Sequence, residues 1–442
     1  MSITAQEGQF AVSAHGAGIG PARPTLLYLT HGASADPPPQ VFRLKPNRNA
    51  QPSQQEMQRL VGLFGAGQFD AAQAQARALL RDYPGFFVLF NILGAIQTRQ
   101  GRLKEAVASY QKAIAARPDY AEAHNNLGLT YKDMGKLIDA GAAFRRAIAV
   151  KPDYVEAHNN LGNVLQTQDK PDAAADSYRQ ALTLAPDFAL GHNNLGNVLL
   201  ELGKLDEATA SFRRALQLAP DYAEAHNNLG TALKEQGDLP GAAASFETAL
   251  RHAPGYPEAL NNLGTVFEAR GEIAPAMARY QQALAAAPDF AEAHNNLGNV
   301  LLVARRLDEA LASYAQAIRL KPAFAQAHVN LGNALLEARQ AQAALQSFRT
   351  ALSIQGDNPD AHNSLGNALQ KLGRFDEAKA AYRKALSLRP DFDLAAGNLG
   401  RTHLLEGEHM QGLEWMARDT GFIRFTAGAG PRLILEAADA AH

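Results

Sequence analysis

The stretch AEAHNNLGLTYKDMGKLIDAGAAFRRAIAVKPDY, residues 121–154, decides the fold because its pattern returns every 34 residues. A glycine marks the same place in successive copies: Gly128, Gly162, Gly196, Gly230, Gly264, Gly298, Gly332, Gly366 and Gly400. An alanine keeps the same step from Ala106 to Ala378. A fixed period of this length predicts stacked supersecondary units, since each unit needs its neighbours to bury its apolar face.

Each unit is predicted to contain two helices joined by a tight turn. In the first half, Leu127 and Gly128 belong to one apolar helical face, and in the second half Ala140 and Phe144 form the matching face. Gly135 lies between the halves, at a spacing suited to a short helix–helix turn. Small residues at the two matching faces allow the helix backbones to approach closely.

The links between units carry their own signals. Each second helix is predicted to end before a proline such as Pro152, which is followed by Asp153. Glu156 stands three residues after Asp153, a pattern similar to an N-cap with an acidic residue in the first helical turn. We therefore expect Asp153 and its equivalents to cap the first helices.

The unit resembles the tetratricopeptide repeat family when Gly128 is counted as position 8. The shared pattern is leucine at position 7, glycine at 8, alanine at 20, an aromatic residue at 24 and proline at 32. Arg305 and Arg339 depart from it by replacing the glycine of position 15. The resemblance implies an all-α fold, a right-handed α-solenoid (superhelix) of helix–turn–helix repeats whose first helices line a concave groove.

The repeat phase also divides the chain. Ten full repeats are expected at residues 53–392 and a partial eleventh repeat, acting as a C-terminal cap, at residues 393–420. Residues 1–52 have no such phase and contain GAGIGPARP and ADPPPQ, so we expect a disordered or loosely packed segment. Residues 421–442 are expected to form a short tail or hairpin.

Composition excludes several functional classes. The 42 Lys and Arg nearly balance the 44 Asp and Glu, which argues against a nucleic-acid partner. No cysteine is present, so disulfides, cysteine zinc sites and thiol nucleophiles are excluded. No apolar run reaches the length of a membrane helix, and the N-terminus is a poor signal peptide, so we expect a cytoplasmic protein without a membrane partner.

Asparagines form two columns in the first helices. At position 6 they are Asn126, Asn160, Asn194, Asn228, Asn262, Asn296, Asn330 and Asn398, with Ser364 interrupting. At position 9 they are Asn163, Asn197, Asn299, Asn333 and Asn367. A helical wheel turns positions 5, 6 and 9 away from the packing face. Stacking the repeats would then align the amides as a ladder along the groove.

An amide side chain offers both a donor and an acceptor, so a ladder of amides suits the backbone of an extended peptide. We therefore predict peptide binding at these two columns. Two other interpretations stay open: the amides could simply be hydrophilic residues of the wall, or they could bond between neighbouring repeats.

The position-6 column is similar to the asparagine ladder in the repeat array of O-linked N-acetylglucosamine transferases. That resemblance implies a second hypothesis, in which the chain is the substrate-recognition arm of such a glycosylation system. The transferase's catalytic domain spans several hundred residues, so we do not expect it within residues 421–442. A third hypothesis is self-association through the terminal repeats.

Histidines stand at position 4 of seven repeats: His124, His158, His192, His226, His294, His328 and His362. Equivalent residues on neighbouring helices should lie about 8–10 Å apart, too far to share one metal ion. Packing is the better explanation of this column. We predict no catalytic residue, no metal and no cofactor, and a non-catalytic scaffold that binds a protein or an extended peptide.

Overall fold

The computed structural model describes residues 51–420 and the side chains of residues 51–416. The predictions for residues 1–50 and 421–442 lie outside the described residues. Contacts divide the chain into two compact units, Met1–Leu202 and Gly203–His442. The boundary falls between the two helices of the fifth repeat.

The first unit holds nine described helices: α1 (Gln54–Gly65), α2 (Phe69–Asp82), α3 (Phe87–Arg99), α4 (Leu103–Ala116), α5 (Ala121–Asp133), α6 (Leu137–Val150), α7 (Val155–Thr167), α8 (Pro171–Leu184) and α9 (Ala189–Glu201). The second unit begins with α10 (Leu205–Leu218), α11 (Ala223–Glu235), α12 (Leu239–His252), α13 (Pro257–Ala269), α14 (Ile273–Ala286), α15 (Ala291–Val303) and α16 (Leu307–Leu320). It continues with α17 (Ala325–Glu337), α18 (Ala341–Ile354), α19 (Pro359–Lys371), α20 (Phe375–Leu388), α21 (Asp393–Leu405) and α22 (His409–Thr420).

Within residues 51–420 the secondary structure is entirely helical, and successive helix pairs pack as repeats. The predicted all-α solenoid of tetratricopeptide-like repeats is therefore confirmed. Odd-numbered helices are the first helices of the repeats, and even-numbered helices are the second. None of the described helices is long and apolar enough to cross a membrane.

Close approach within each pair depends on the position-8 glycine. A Cβ added to Gly298 would lie 2.5 Å from Cε1 of Tyr314, the buried aromatic residue at position 24 of the same repeat. Ala310 at position 20 is also fully buried. The glycine therefore provides the space into which the ring of the second helix packs, as the small residues of the sequence pattern predict.

The turns between paired helices require a left-handed residue at position 15. Gly135 has φ of 72°, and φ is also positive at the equivalent glycines of most repeats. Asp169, Arg305 and Arg339 keep the same conformation with φ of 58°, 61° and 59°. These side-chain-bearing residues preserve the turn at an energetic cost that glycine does not carry.

The predicted aspartate caps are wrong. Helix α7 begins after Tyr154, which is its N-cap residue and makes no side-chain capping bond, so Asp153 lies one residue outside. Among the first helices, side-chain caps occur where the aromatic residue is absent. Ser53 forms a capping box with Glu56, and Asn358 accepts from the backbone of α19. The half-buried aromatic residue at position 34 thus occupies the N-cap position in place of the aspartate.

Successive first helices contact one another in each unit, as α5 contacts α7 and α13 contacts α15. The described second helices approach each other less closely. Each unit therefore curves with its first helices on the inside. We call the surface made by positions 2, 6, 9, 12 and 13 of the first helices the inner face.

Candidate functional site

The position-6 asparagines bond between repeats through their amide nitrogens. Nδ2 of Asn296 donates to Oδ1 of Asn261 in the preceding repeat at 3.0 Å. The other pairs are Asn126–Asn91, Asn160–Asn125, Asn194–Asn159, Asn262–Asn227, Asn330–Asn295 and Asn398–Asn363, at 2.9–3.1 Å. We call each such bond an amide latch. The amide nitrogen at position 6 therefore bonds between neighbouring repeats, which is one of the alternatives that the sequence left open.

The acceptor in each latch is the asparagine at position 5, which the helical wheel turned outward. That orientation is wrong. The position-5 residues Asn125, Asn159, Asn193, Asn227, Asn261, Asn295 and Asn363 are all buried. A wheel treats the helix as isolated, whereas the first helix of the next repeat covers this position. A buried amide needs hydrogen-bond partners, and the latch supplies one.

The two partners of a latch are lost together. Where position 5 is Val329, position 6 of the next repeat is Ser364, and where position 5 is Met57, the following residue at position 6 is Ile92. Passive copying of a repeat does not explain such paired exceptions. This signal was available in the sequence and would have revealed the role of position 5.

The latch uses the amide nitrogen of position 6 and leaves the Oδ1 atom available in five repeats. For Asn126, Asn160, Asn194, Asn262 and Asn398, no described residue donates to Oδ1. Asn330 is an exception, since its Oδ1 accepts from Gln326 at 2.9 Å. Asn296 and Asn228 each accept a weaker bond from the adjacent asparagine at position 5, at 3.3 Å and 3.4 Å. The half-buried column therefore presents mainly acceptors.

The position-9 asparagines have the opposite polarity. Oδ1 of Asn299 accepts from the phenol of Tyr314 at 2.9 Å, and Asn163 and Asn367 accept in the same way from their own tyrosines. No described residue accepts from the Nδ2 atoms of these three asparagines. In the repeats of Asn197 and Asn333, position 24 is phenylalanine, and neither amide has a side-chain partner among the described residues.

The tyrosines that orient these amides are buried. Burial raises the pKa of the Tyr178 and Tyr314 phenols far above the ordinary value, so both remain protonated donors. Each phenol therefore fixes which end of the position-9 amide faces outward. The inner face consequently alternates Oδ1 acceptors at position 6 with Nδ2 donors at position 9.

The position-4 histidines close the links between repeats. Nε2 of His294 lies 3.0 Å from the carbonyl oxygen of Pro288, and each of the other six histidines makes the equivalent contact at 2.9–3.0 Å. A carbonyl only accepts, so Nε2 carries the proton. Residues 51–416 contain no group of three or more metal-ligating side chains suited to an ion.

Comparison with protein families identifies the same repeat. Profiles described as TPR repeat or tetratricopeptide repeat match residues 94–135, 119–187, 177–210, 196–237, 227–289, 261–323, 297–361 and 359–392. Together they cover residues 94–392 without a gap, more than half of the chain. No curated protein matches the sequence.

One solved structure shares the fold, and others are similar over part of the chain. A chain of the APC/C hetero-tetramer Cut9–Hcn1 is 15% identical, with a TM-score of 0.52, covering 78% of this chain and 83% of that one. PilF of Pseudomonas aeruginosa is 27% identical over 47% of this chain and 94% of its own, with a TM-score of 0.42. YrrB, described as a TPR protein with an unusual peptide-binding site, is 27% identical over 42% and 96%, with a TM-score of 0.34.

Proposed function

The chain belongs to the tetratricopeptide repeat family, and we propose that it is a non-catalytic scaffold that binds an extended segment of a partner protein along its inner face. The observation that carries the proposal is the unused hydrogen-bonding capacity of the amide columns. Position 6 offers Oδ1 acceptors, and position 9 offers Nδ2 donors, within the same helices. An extended backbone offers the complementary N–H and C=O groups.

The spacing of the repeats fits such a ligand. Neighbouring helices lie about 8–10 Å apart, which equals about three residues of extended chain at roughly 3.3 Å each. Each repeat would therefore contact one N–H and one C=O in about three residues. Recognition of this kind depends on the peptide backbone and tolerates many side chains.

The latch determines which variants test the proposal cleanly. Replacing a position-6 asparagine would remove a bond between repeats, so weaker peptide binding could reflect lower stability. Asn197 and Asn333 have no side-chain partner among the described residues, and Asn367 has only its phenol contact. Asn299 is less suitable, because its Oδ1 also accepts from Nδ2 of Asn330 in the next repeat at 3.1 Å. The variant N197A/N333A/N367A removes three proposed donors and leaves every latch and the bond between Asn330 and Asn299 intact. Asn261→Ala is the matched control, because it removes a buried acceptor and no amide of the two columns.

The probe is a fluorescent library of 15-residue peptides, followed by backbone N-methylation of the tightest binder. We expect the triple variant to weaken binding, the control to retain affinity below its melting range, and N-methylation to weaken binding more than alanine replacement of side chains. Equal affinity of the triple variant and the wild-type chain, with unchanged circular dichroism, would overturn the role of position 9.

The similarity of the position-6 column to the transferase arrays supports a second candidate, a substrate-recognition arm for a separate glycosyltransferase. It predicts that peptides bound here are better substrates of such an enzyme when this chain is present. Incubating the purified chain alone with a bound peptide and a uridine diphosphate sugar tests the non-catalytic part. Sugar transfer in that mixture would contradict the scaffold proposal.

Self-association is a separate proposal for the last repeat. Leu394, Leu405 and Met410 of α21 and α22 are 66%, 58% and 51% exposed. Light scattering should show a concentration-dependent mass that falls when Leu394 and Leu405 become serine. A constant monomer mass over a wide concentration range would exclude it.

A further inference from the structure

We propose that Lys234 binds an acidic side chain of the captured segment, and that the segment carries an apolar residue about three positions away, over Val303. This inference rests on the proposed function and names the chemistry of the partner. Both residues belong to first helices of the second unit, α11 and α15, with α13 between them.

The ammonium group of Lys234 is held at the inner face. Its Nζ donates to Oγ1 of Thr265 in the next repeat at 3.1 Å. Thr265 stands at position 9 and bonds back to the carbonyl of Asn262, whose side chain forms a latch. The charge therefore lies beside the amide columns, between α11 and α13, instead of extending into solvent.

No described carboxylate lies within ion-pair distance of this charge. Lys234 is half-buried and forms no ion pair with any described residue. The hydroxyl of Thr265 satisfies one of its three donors. Desolvation by burial lowers the pKa of the Lys234 amine, which means that the surroundings disfavour its charged form. A carboxylate from outside the chain would restore that form and use the remaining donors.

The neighbouring carboxylates are directed elsewhere and decide the kind of anion. Glu268, one turn after Thr265, accepts from the phenol of Tyr280 at 2.7 Å. Glu235 is the exposed neighbour of Lys234 in sequence. A single ammonium group that already interacts with the Glu235 carboxylate disfavours a multiply charged phosphate. A single Asp or Glu side chain fits this charge pattern better than a phosphopeptide or a nucleic acid.

The inner face becomes apolar two repeats after Lys234. Position 12 is Lys234 and then Glu268 in α11 and α13, but Leu302 and Leu336 in α15 and α17. Val303 at position 13 is 63% exposed on the same helix as Asn296 and Asn299. The Lys234 ammonium already lies at Thr265, so one helix spacing of about 8–10 Å, or about three extended residues, separates it from α15.

The test uses synthetic 12-residue peptides in a serine and alanine background. One Glu and one Leu are placed one to seven residues apart, in both orders, and binding to the full chain is measured by fluorescence anisotropy. The matched series replaces Glu with Gln or phosphoserine. Lys234→Met removes the proposed contact, and Lys132→Met removes an exposed lysine at the same repeat position as the control.

We expect the Glu peptide with a spacing near three to bind about tenfold more tightly than its Gln counterpart, since one charge-assisted bond contributes on this scale. Lys234→Met should abolish that ratio, whereas Lys132→Met should preserve it. Equal binding of Glu and Gln peptides to the wild-type chain would overturn the role of Lys234 while leaving backbone capture intact. Absence of binding by every peptide would instead contradict the proposed function. Tightest binding by the phosphoserine peptide would assign the charge to phosphate recognition and overturn the carboxylate proposal.

Discussion

Asn296 and Asn261 lie 35 residues apart in sequence and share a hydrogen bond of 3.0 Å between their amide groups. The acceptor Asn261 is buried, whereas the donor Asn296 is half-buried at the inner face. Each latch thus joins a core position of one repeat to a surface position of the next. The adjacent asparagines of HNNLG therefore serve different neighbours, and each offsets its helix-propensity cost in a different way.

The latch should be measurable as coupling between the two residues. We expect Asn261→Ala to lower the free energy of unfolding by about 1–2 kcal/mol, because the donor of Asn296 loses its partner. The double variant N261A/N296A should cost less than the sum of the single variants by about 1 kcal/mol. Urea denaturation of the four chains tests this. Strict additivity would show that the bond contributes no coupling.

The arginines in the left-handed turns should be sites of stabilisation. Arg305→Gly and Arg339→Gly should each raise the free energy of unfolding by about 0.5–1 kcal/mol, because glycine reaches φ near 60° without strain at its Cβ. Gly271→Arg, at the equivalent turn of another repeat, should lower it by a similar amount. Thermal unfolding monitored by circular dichroism provides the measurement, and a lower midpoint for both glycine variants would contradict this explanation.

The position-8 glycines should tolerate no side chain. Gly298→Ala would bring Cβ to 2.5 Å from the buried ring of Tyr314, so we expect a loss of about 1–3 kcal/mol from overpacking. Gly62 in α1 is the matched control, because a Cβ there meets no atom within 4 Å. Gly62→Ala should stabilise the chain by up to about 1 kcal/mol, since alanine is the better helix former. Similar effects of the two substitutions would rule out a steric origin.

The last helix pair should respond to pH through a charged cluster. Lys379 forms ion pairs with Glu406 at 2.6 Å and Glu408 at 3.7 Å, and His403 contacts Glu408. The hydrogen bond from His403, assisted by Lys379, lowers the pKa of Glu408. The contribution of Glu408 is therefore present above the ordinary carboxyl pKa and is lost as pH falls through the lowered value.

The opposite sign holds for Lys379. Its hydrogen bond to Glu406 raises the pKa of the amine, so its contribution is present below the ordinary lysine pKa and is lost as pH rises above it. Trp415 is the only tryptophan and lies in α22, so its fluorescence reports on this pair. We expect a stable signal from about pH 5 to about pH 10, with losses beyond both limits. Glu408→Gln should reduce the acid loss. An identical acid transition in that variant would show that Glu408 is not responsible.

The 34-residue period predicted the helix pairs because every unit repeats the small and aromatic residues that pack its two helices together. Gly128 and Phe144 indicated a close pair of helices, and the structure places that ring against that glycine. The cap prediction for Asp153 was wrong because capping preferences favour aspartate, whereas the half-buried Tyr154 occupies the N-cap position. Local signals thus predicted the pairing of the two helices inside one repeat.

Side-chain contacts between different helices were harder to predict. The wheel placed Asn125 and Asn126 on one outward side, although the next repeat covers Asn125. The orientation of Asn299 likewise depends on Tyr314, which is 15 residues away in sequence and on another helix. Sequence spacing along one helix contains neither relationship. Comparing position 5 with position 6 of the following repeat would have recovered the first of them.

Val329 and Ser364 occupy the two positions of an amide latch in the second unit, so this latch is absent there. Arrays of repeats open by breaking individual interfaces, so a weaker interface determines where a partly unfolded form separates. We expect amide hydrogens of α17 and α19 that face this interface to exchange sooner than those between α13 and α15, where Asn261 and Asn296 are joined. The repeats would then unfold in a fixed order, which depends on which interfaces lack the asparagine pair of the amide latch.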